Sequence, residues 1–386
     1  MKFFLSFLFS VLAVAFTFGQ STKNRQDLDF LYLKIVELPS YKDQFSKKEK
    51  NNFKQKLDNL KIGIESDSDF ELFLKLYSLV TSIKDNHLSL YANPESKNKI
   101  NFNTEIFGLN LDSLKQIVKN KSDKSVEGIY KTGNYELLIY KDFEFFKLLN
   151  IKGAKPSVVG FLKETQPNHF DFISSKNGLI YSSRNLVYIN SRLSGTPFKK
   201  YELKDFVNIY PNEDEFQFKK INKNISYLRL GSFATFNENI VVSNKFYNRI
   251  KDSLITKNII VDLRENGGGG FKTSKVYLNL LKSYKGKIHL IVNNFTISNA
   301  EQFVNELQNR TNVMIYGETT KGTIAYGNNR GTNFTLPSGR FVFYPTDMNA
   351  RKRDLKFENV GVSPDVLLDP FLKDWVEQVM DKIDGK

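Results

Sequence analysis

An apolar strand that runs straight into four glycines constrains this chain more than any other feature of it. Residues 258–270 (NIIVDLRENGGGG) pass from Ile259, Ile260 and Val261, an unalternated run suited to a strand buried on both faces, to Asp262 and Arg264 and then to the glycines. Without Cβ atoms, that turn can bring backbone N–H groups up to a ligand, as an oxyanion hole requires. A second apolar strand, Ile288 to Val292, turns at Thr296-Ile297-Ser298 into an amphipathic helix with Ala300, Phe303, Val304 and Leu307 on one side. A serine therefore stands at a helix N-terminus.

Around these two segments, strands alternate with helices from about Phe216 to Leu372. Strands are expected at Ile225–Leu230, Asn258–Asp262, Ile288–Val292 and Val313–Tyr316, and helices near Glu238–Ser253, Thr273–Leu281 and Asn299–Gln308. That order implies α/β packing on a largely parallel sheet. From Asp27 to about Tyr91 the pattern is helical, with capping boxes at Ser46/Glu49 and Ser68/Glu71. The second opens a helix whose apolar positions Phe70, Phe73, Leu74, Tyr77, Val80 and Ile83 recur at three- and four-residue steps. Read to its end at Asp85-Asn86-His87, it presents His87 at an element terminus. Between about Ile100 and Tyr210 short alternating strands such as Gly128–Tyr140 and Gly178–Tyr181 indicate a small β-rich unit. The chain thus divides into residues 1–20, a helical subdomain at 27–95, the β-rich unit at 100–210 and a core at 216–375.

Met1-Lys2 and the apolar run Phe3 to Phe18, closing on Gly19-Gln20-Ser21, have the plan of a secretory signal peptide, with an uncleaved anchor as the alternative. An exported chain with no cysteine has neither disulfides nor thiolate metal sites, and must be held by core burial alone. A hydrophobic fraction of 40% makes that feasible in each unit. The net charge of +14 is spread among acids and asparagines and forms no nucleic-acid motif, so it reads as solvated surface. Three dispersed histidines make no metal site, and no cofactor is expected.

The ordered motifs D-L-R-x-N-x-G-G and T-x-S-x-x-E, preceded by Ser226–Phe233, resemble the core of the tail-specific (C-terminal processing) serine peptidases and their tricorn-type relatives. The resemblance runs from about Asp27 to Leu372, apart from the stretch around 100–210, and extends to Gly317–Gly322 and Glu358–Asp365. It implies a crotonase-like core and peptide-bond hydrolysis. Processing members usually carry a PDZ domain that binds peptide tails, but no Gly-Leu-Gly-Phe-like carboxylate-binding loop occurs here, so tail selectivity does not follow.

Ser298 is the candidate nucleophile, because a strand-helix turn exposes its hydroxyl while the Asn299 amide can donate to the developing oxyanion. Gly268 or Gly269 would supply the second amide; an ordinary N-cap serine is the alternative reading. For the base, the resembled family has two solutions: a lysine about 25 residues after the serine, or a histidine in the N-terminal helical region. Lys321 falls two residues short of the first, whereas His87, in Asp85-Asn86-His87, matches the tricorn-type D-x-H pattern. A histidine base predicts a rate that falls below about pH 6.5. His169 and His289 read as structural or exposed. In the tricorn pattern a carboxylate at the position of Glu358 orients the histidine, and a hydroxyl residue precedes that histidine where Asn86 stands here. Glu301, Glu318 and Asp365 are assigned to helix and turn geometry, and Arg351 and Arg353 are candidates for a substrate carboxylate. The reading is an exported serine peptidase acting on peptides or unfolded proteins without a cofactor, with possible envelope association. The alternative is a non-catalytic ligand- or peptide-binding protein on the same core. Nothing in the sequence sets the oligomeric state.

Overall fold

The computed structural model describes residues 23–96, 110–133, 135–153, 156–176, 179–200, 204–209 and 214–385. The signal-like segment 1–20 lies outside the described residues. The fold is mixed α/β, and it opens with helices α1 (residues 23–37), α2 (Pro39–Gln44), α3 (Lys47–Leu60) and α4 (Asp69–Val80). Both expected capping boxes form. Ser46 N–H donates to Glu49 Oε2 at 2.7 Å and Ser68 N–H to Glu71 Oε2 at 2.8 Å, satisfying amides that a helix start leaves orphaned. The helix α4 stops at Val80, short of the Asp85–His87 end read from the apolar spacing. His87 is instead carried on the turn between α4 and strand β1 (Ser89–Ala92).

After α5 (Leu111–Lys119) come seven antiparallel strands: β2 (Gly128–Thr132), β3 (Tyr135–Asp142), β4 (Phe145–Asn150), β5 (Ser157–Gln166), β6 (His169–Lys176), β7 (Leu179–Ile189) and β8 (Arg192–Leu193). Each pairs with its neighbour in sequence, so the sheet is a meander. One of its faces shares an apolar core with the N-terminal helices: Leu138, Leu149, Phe161 and Ile173 pack with Leu31, Leu72, Phe73 and Leu76.

The remainder alternates β9 (Phe216–Lys220), β10 (Ile225–Leu230), α6 (Asn237–Ile250), β11 (Asn258–Asp262), α7 (Phe271–Ser283), β12 (Lys287–Val292), α8 (Asn299–Leu307) and β13 (Val313–Gly317). Strands β14 (Phe334–Thr335), β15 (Phe341–Tyr344) and β16 (Val366–Leu367) and helix α9 (Trp375–Ile383) complete it. The main sheet runs β16-β13-β12-β11-β10-β9, parallel throughout except for β9. Strand periodicity divides its side chains between two faces. Ile259, Val261, Leu290 and Val292 meet α6, α7 and α8, while Ile260, Tyr227 and Ile291 meet Trp375 and Val379 of α9. Each such fully buried side chain contributes about 1.5–3 kcal/mol. Because β11 and β12 are parallel and in register, Asp262 beside Ile291, the loops that follow them leave the same edge of the sheet. Open α/β sheets place their ligands at that edge.

The N-terminal helices reach the C-terminal half through a pairing invisible in the sequence: β1 is antiparallel to β15, which also pairs with β14. Arg340, just before β15, is buried and its guanidinium meets Asn24 Oδ1 at 2.7 Å, Asp27 Oδ2 at 3.4 Å and Asp69 Oδ1. Burial pushes the Asp27 carboxyl upward, partly offset by the Ser338 amide and this arginine. Arg340→Met leaves Asp27 unpaired at 0% exposure, and breaking a buried pair in that way costs about 3–5 kcal/mol. The expected outcome is a matching loss of stability in urea titrations; a midpoint shift worth less than about 1 kcal/mol would show that the contact is incidental.

Candidate active site

The turn that carries Ser298 is built by lacing the two loops together. Asn293 Oδ1 accepts from the Glu265 and Phe295 amides, both at 3.1 Å, Thr296 Oγ1 donates to the Leu263 carbonyl at 2.9 Å, and the Ile297 amide donates to the Asn266 carbonyl at 2.9 Å. Ser298 then adopts φ 59° and ψ −119°, a conformation that costs a non-glycine residue about 1–3 kcal/mol. Glu301 holds it there. Its Oε2 accepts from the Ser298 amide at 3.0 Å and the Thr323 amide at 2.8 Å, and its Oε1 from the Gly322 amide and Thr320 Oγ1, each at 2.6 Å. Burial, outweighing those four bonds, pushes the Glu301 carboxyl up to about 6.

The glycine turn lies directly against this serine. A Cβ on Gly268 (φ +85°) would stand 2.8 Å from Ser298 Cβ and 2.9 Å from the Asn299 nitrogen, and one on Gly269 (φ +136°) only 1.8 Å from the Phe233 carbonyl oxygen. Only glycine fits at either position. The Gly268 amide, however, donates to Asn266 Oδ1 at 2.9 Å, which turns it to a protein acceptor and corrects the expectation that it serves an oxyanion. Among the described residues, the amides of Gly269 and Asn299 have no acceptor.

His87 Nε2 lies 3.1 Å from Ser298 Oγ. Burial holds its imidazole down to about 4, so the ring is neutral across the physiological range. The turn that presents it is fixed through its backbone. Asp85 Oδ1 accepts from the His87 amide at 3.1 Å and Asp85 Oδ2 from Thr346 Oγ1 at 2.6 Å. Glu358 Oε1 accepts from the Asn86 amide at 2.7 Å, and Glu358 Oε2 from the Ile324 and Ala325 amides at 2.9 and 2.7 Å. Burial, followed by the Asp85 carboxylate, raises the Glu358 carboxyl above its ordinary range. Among the described residues, Glu358 makes no hydrogen bond to the ring, and the ring's buried Nδ1 has no partner. The expected orientation of the histidine by Glu358 is therefore an effect on the preceding peptide. Asn86, where the tricorn pattern has a hydroxyl, spans the gap with Nδ2 donating to the Gly322 carbonyl at 2.9 Å.

Lys321, the alternative base, is not at the serine. Its Nζ lies 3.4 Å from Ser183 Oγ on β7, and burial lowers it to about 8. Arg351 and Arg353, expected to meet a substrate carboxylate, both pair instead with Glu306 of α8, the former at 2.9 Å, and Arg351 also meets Asp354 at 3.2 Å. His289 is structural, with Nδ1 3.2 Å from Tyr316 Oη and Nε2 3.2 Å from Asn258 Oδ1. Arg184 and Asn185, from the antiparallel sheet, are residues that the sequence did not single out, and Asp85 was marked only as the first member of the D-x-H pattern, without a role. No motif marks Arg184 or Asn185.

Residues 270–368 match the family model described as Peptidase family S41. No curated protein matches the chain. Among solved structures, a putative peptidase from Parabacteroides merdae is 14% identical, with 94% of this chain and 96% of that one covered and a TM-score of 0.40. The tricorn protease is 13% identical over 95% of this chain and 37% of its own, at a TM-score of 0.45. Mature CPAF is 11% identical over 95% and 98%, at 0.44. These likenesses are distant, and the similarity to a family rests on the matched segment alone. The matched segment, which carries the serine turn, Glu301, Lys321 and Glu358, is similar to peptidase family S41.

Proposed function

We propose that the chain hydrolyses peptide bonds through an acyl-enzyme on Ser298, with His87 as general base, on a core that we read as crotonase-like. The observation that carries this is the 3.1 Å contact between His87 Nε2 and Ser298 Oγ at a strained strand-helix turn. Ser298 Oγ attacks the scissile carbonyl carbon as its proton passes to His87 Nε2. The charge that develops on the carbonyl oxygen is received by the Gly269 and Asn299 amides. Collapse expels the amine, which leaves with the proton from His87. Water, deprotonated by the same nitrogen, then attacks the acyl carbon and restores Ser298. Lys321 takes no part in these steps, since its ammonium faces Ser183. Peptides or unfolded proteins are the substrate class in this reading, and the apolar run Phe3 to Phe18 supports export before folding.

Ser298→Ala is expected to lower turnover by a factor on the order of 10⁶ with folding intact. A serine-directed fluorophosphonate should modify Ser298 in the wild-type chain, as read by peptide mapping. Undiminished hydrolysis by a folded Ser298→Ala variant would end this reading.

The base form of His87 is the neutral ring, and a lowered value extends that form to lower pH. Ring titration by NMR, assigned with His87→Ala, should therefore show His87 unprotonated down to about pH 4, in place of the transition near 6.5 expected of an unperturbed histidine. A transition at the ordinary value would mean that the ring is solvated and the dyad open.

Protein recovered from the envelope or medium should begin near Gln20 or Ser21 by N-terminal sequencing. An intact Met1 on a membrane-bound product would contradict cleavage.

A further inference from the structure

The antiparallel sheet contains an irregularity placed against the site. Strands β6 and β7 pair through Phe170↔Leu186 and Phe172↔Ser183, so that one residue of β6, Asp171, stands opposite two of β7, Arg184 and Asn185. That is a β-bulge, and within it Asn185 takes a left-handed φ of 53°. In a regular strand two consecutive side chains point to opposite faces. Here both are buried, and both reach the loops of the candidate site. Arg184 Nη1 donates to the Asp85 carbonyl at 2.6 Å and Nη2 to the Ile83 carbonyl at 3.0 Å. Asn185 Nδ2 donates to the Lys321 carbonyl at 3.0 Å, while Asp171 Oδ1 holds the Asn185 amide at 3.2 Å and His169 Nδ1 lies 2.9 Å from Asn185 Oδ1.

Of the three anchored carbonyls, those of Asp85 and Lys321 lead to the two members of the dyad. Asp85 is two residues before His87 and its carboxylate takes the His87 amide. Lys321 precedes Gly322 and Thr323, whose amides share Glu301 with the Ser298 amide. We propose that the Arg184–Asn185 bulge is a positioning device for the reaction, through which the seven-stranded sheet sets the separation of His87 and Ser298. Neither residue touches the reacting atoms; each acts through a loop. This inference rests on the dyad proposed above.

The test is the rate at which a fluorophosphonate labels Ser298, together with kcat and KM for a peptide, in wild type, Arg184→Met, Arg184→Lys, Asn185→Asp and His87→Ala. Met fills the space of Arg184 without donors, whereas Lys restores one of its two carbonyl bonds. Asp tolerates the left-handed backbone but turns an acceptor toward the Lys321 carbonyl. Arg184→Met and Asn185→Asp are expected to slow labelling and kcat by on the order of 10²-fold, the scale of a misplacement of about 1 Å. KM should stay within about threefold, and Arg184→Lys should recover part of the loss, as for interactions that matter only in the transition state. Folded variants that label at the wild-type rate, or lose activity in KM alone, would overturn the positioning role. If Arg184→Met does not fold, Asn185→Asp decides by the same criterion. A wild-type chain that resists labelling, or labelling that ignores His87→Ala, overturns the dyad itself and the positioning role with it.

Discussion

Three buried carboxylates hold this site together by accepting backbone amides. Asp85 takes the His87 amide, Glu358 those of Asn86, Ile324 and Ala325, and Glu301 those of Ser298, Gly322 and Thr323. Each costs several kcal/mol to desolvate, and a hydrogen bond to a charged group contributes about 1.5–3 kcal/mol, so three or four such bonds are needed to offset one burial. All three carboxyls are shifted upward, so burial outweighs the bonds that each accepts. A histidine and a serine 211 residues apart can keep a 3.1 Å contact only if the peptide on each side is fixed, and these carboxylates fix it.

The strain at Ser298 belongs to the same balance. Its left-handed φ costs about 1–3 kcal/mol, and the Glu301 bond to its amide is of comparable size. The serine is thereby held with its hydroxyl toward His87 and with the first amide of α8 unpaired. The parallel sheet supplies the rest, since registered β11 and β12 deliver the glycine turn and the serine turn to one edge.

Much of this was legible in the sequence where a local pattern dictates it. The capping boxes at Ser46 and Ser68 formed because their donors and acceptors lie three residues apart, and β10 and β11 appeared with the bounds read from their apolar runs. The helix through Ile83 was overextended because apolar spacing continues past Val80, while the chain turns there and Arg184 takes the carbonyls of Ile83 and Asp85. Gly268 and Gly269 look alike in sequence, yet the side chain of Asn266 claims the amide of only one. Arg351 and Arg353 looked available because their partner, Glu306, lies on a different element.

The sequence by itself determined the alternation of strand and helix, the parallel sheet that follows from it, and the residue types at the serine turn and glycine turn, because period-two and three-to-four-residue patterns act within one element. Tertiary structure decided which titratable groups meet. It brought His87 rather than Lys321 to Ser298, aimed Glu358 at a peptide rather than at a ring, and inserted the bulge of β7 between the two loops. Those choices depend on distances of a few ångströms between segments remote in the chain, and no local spacing encodes them.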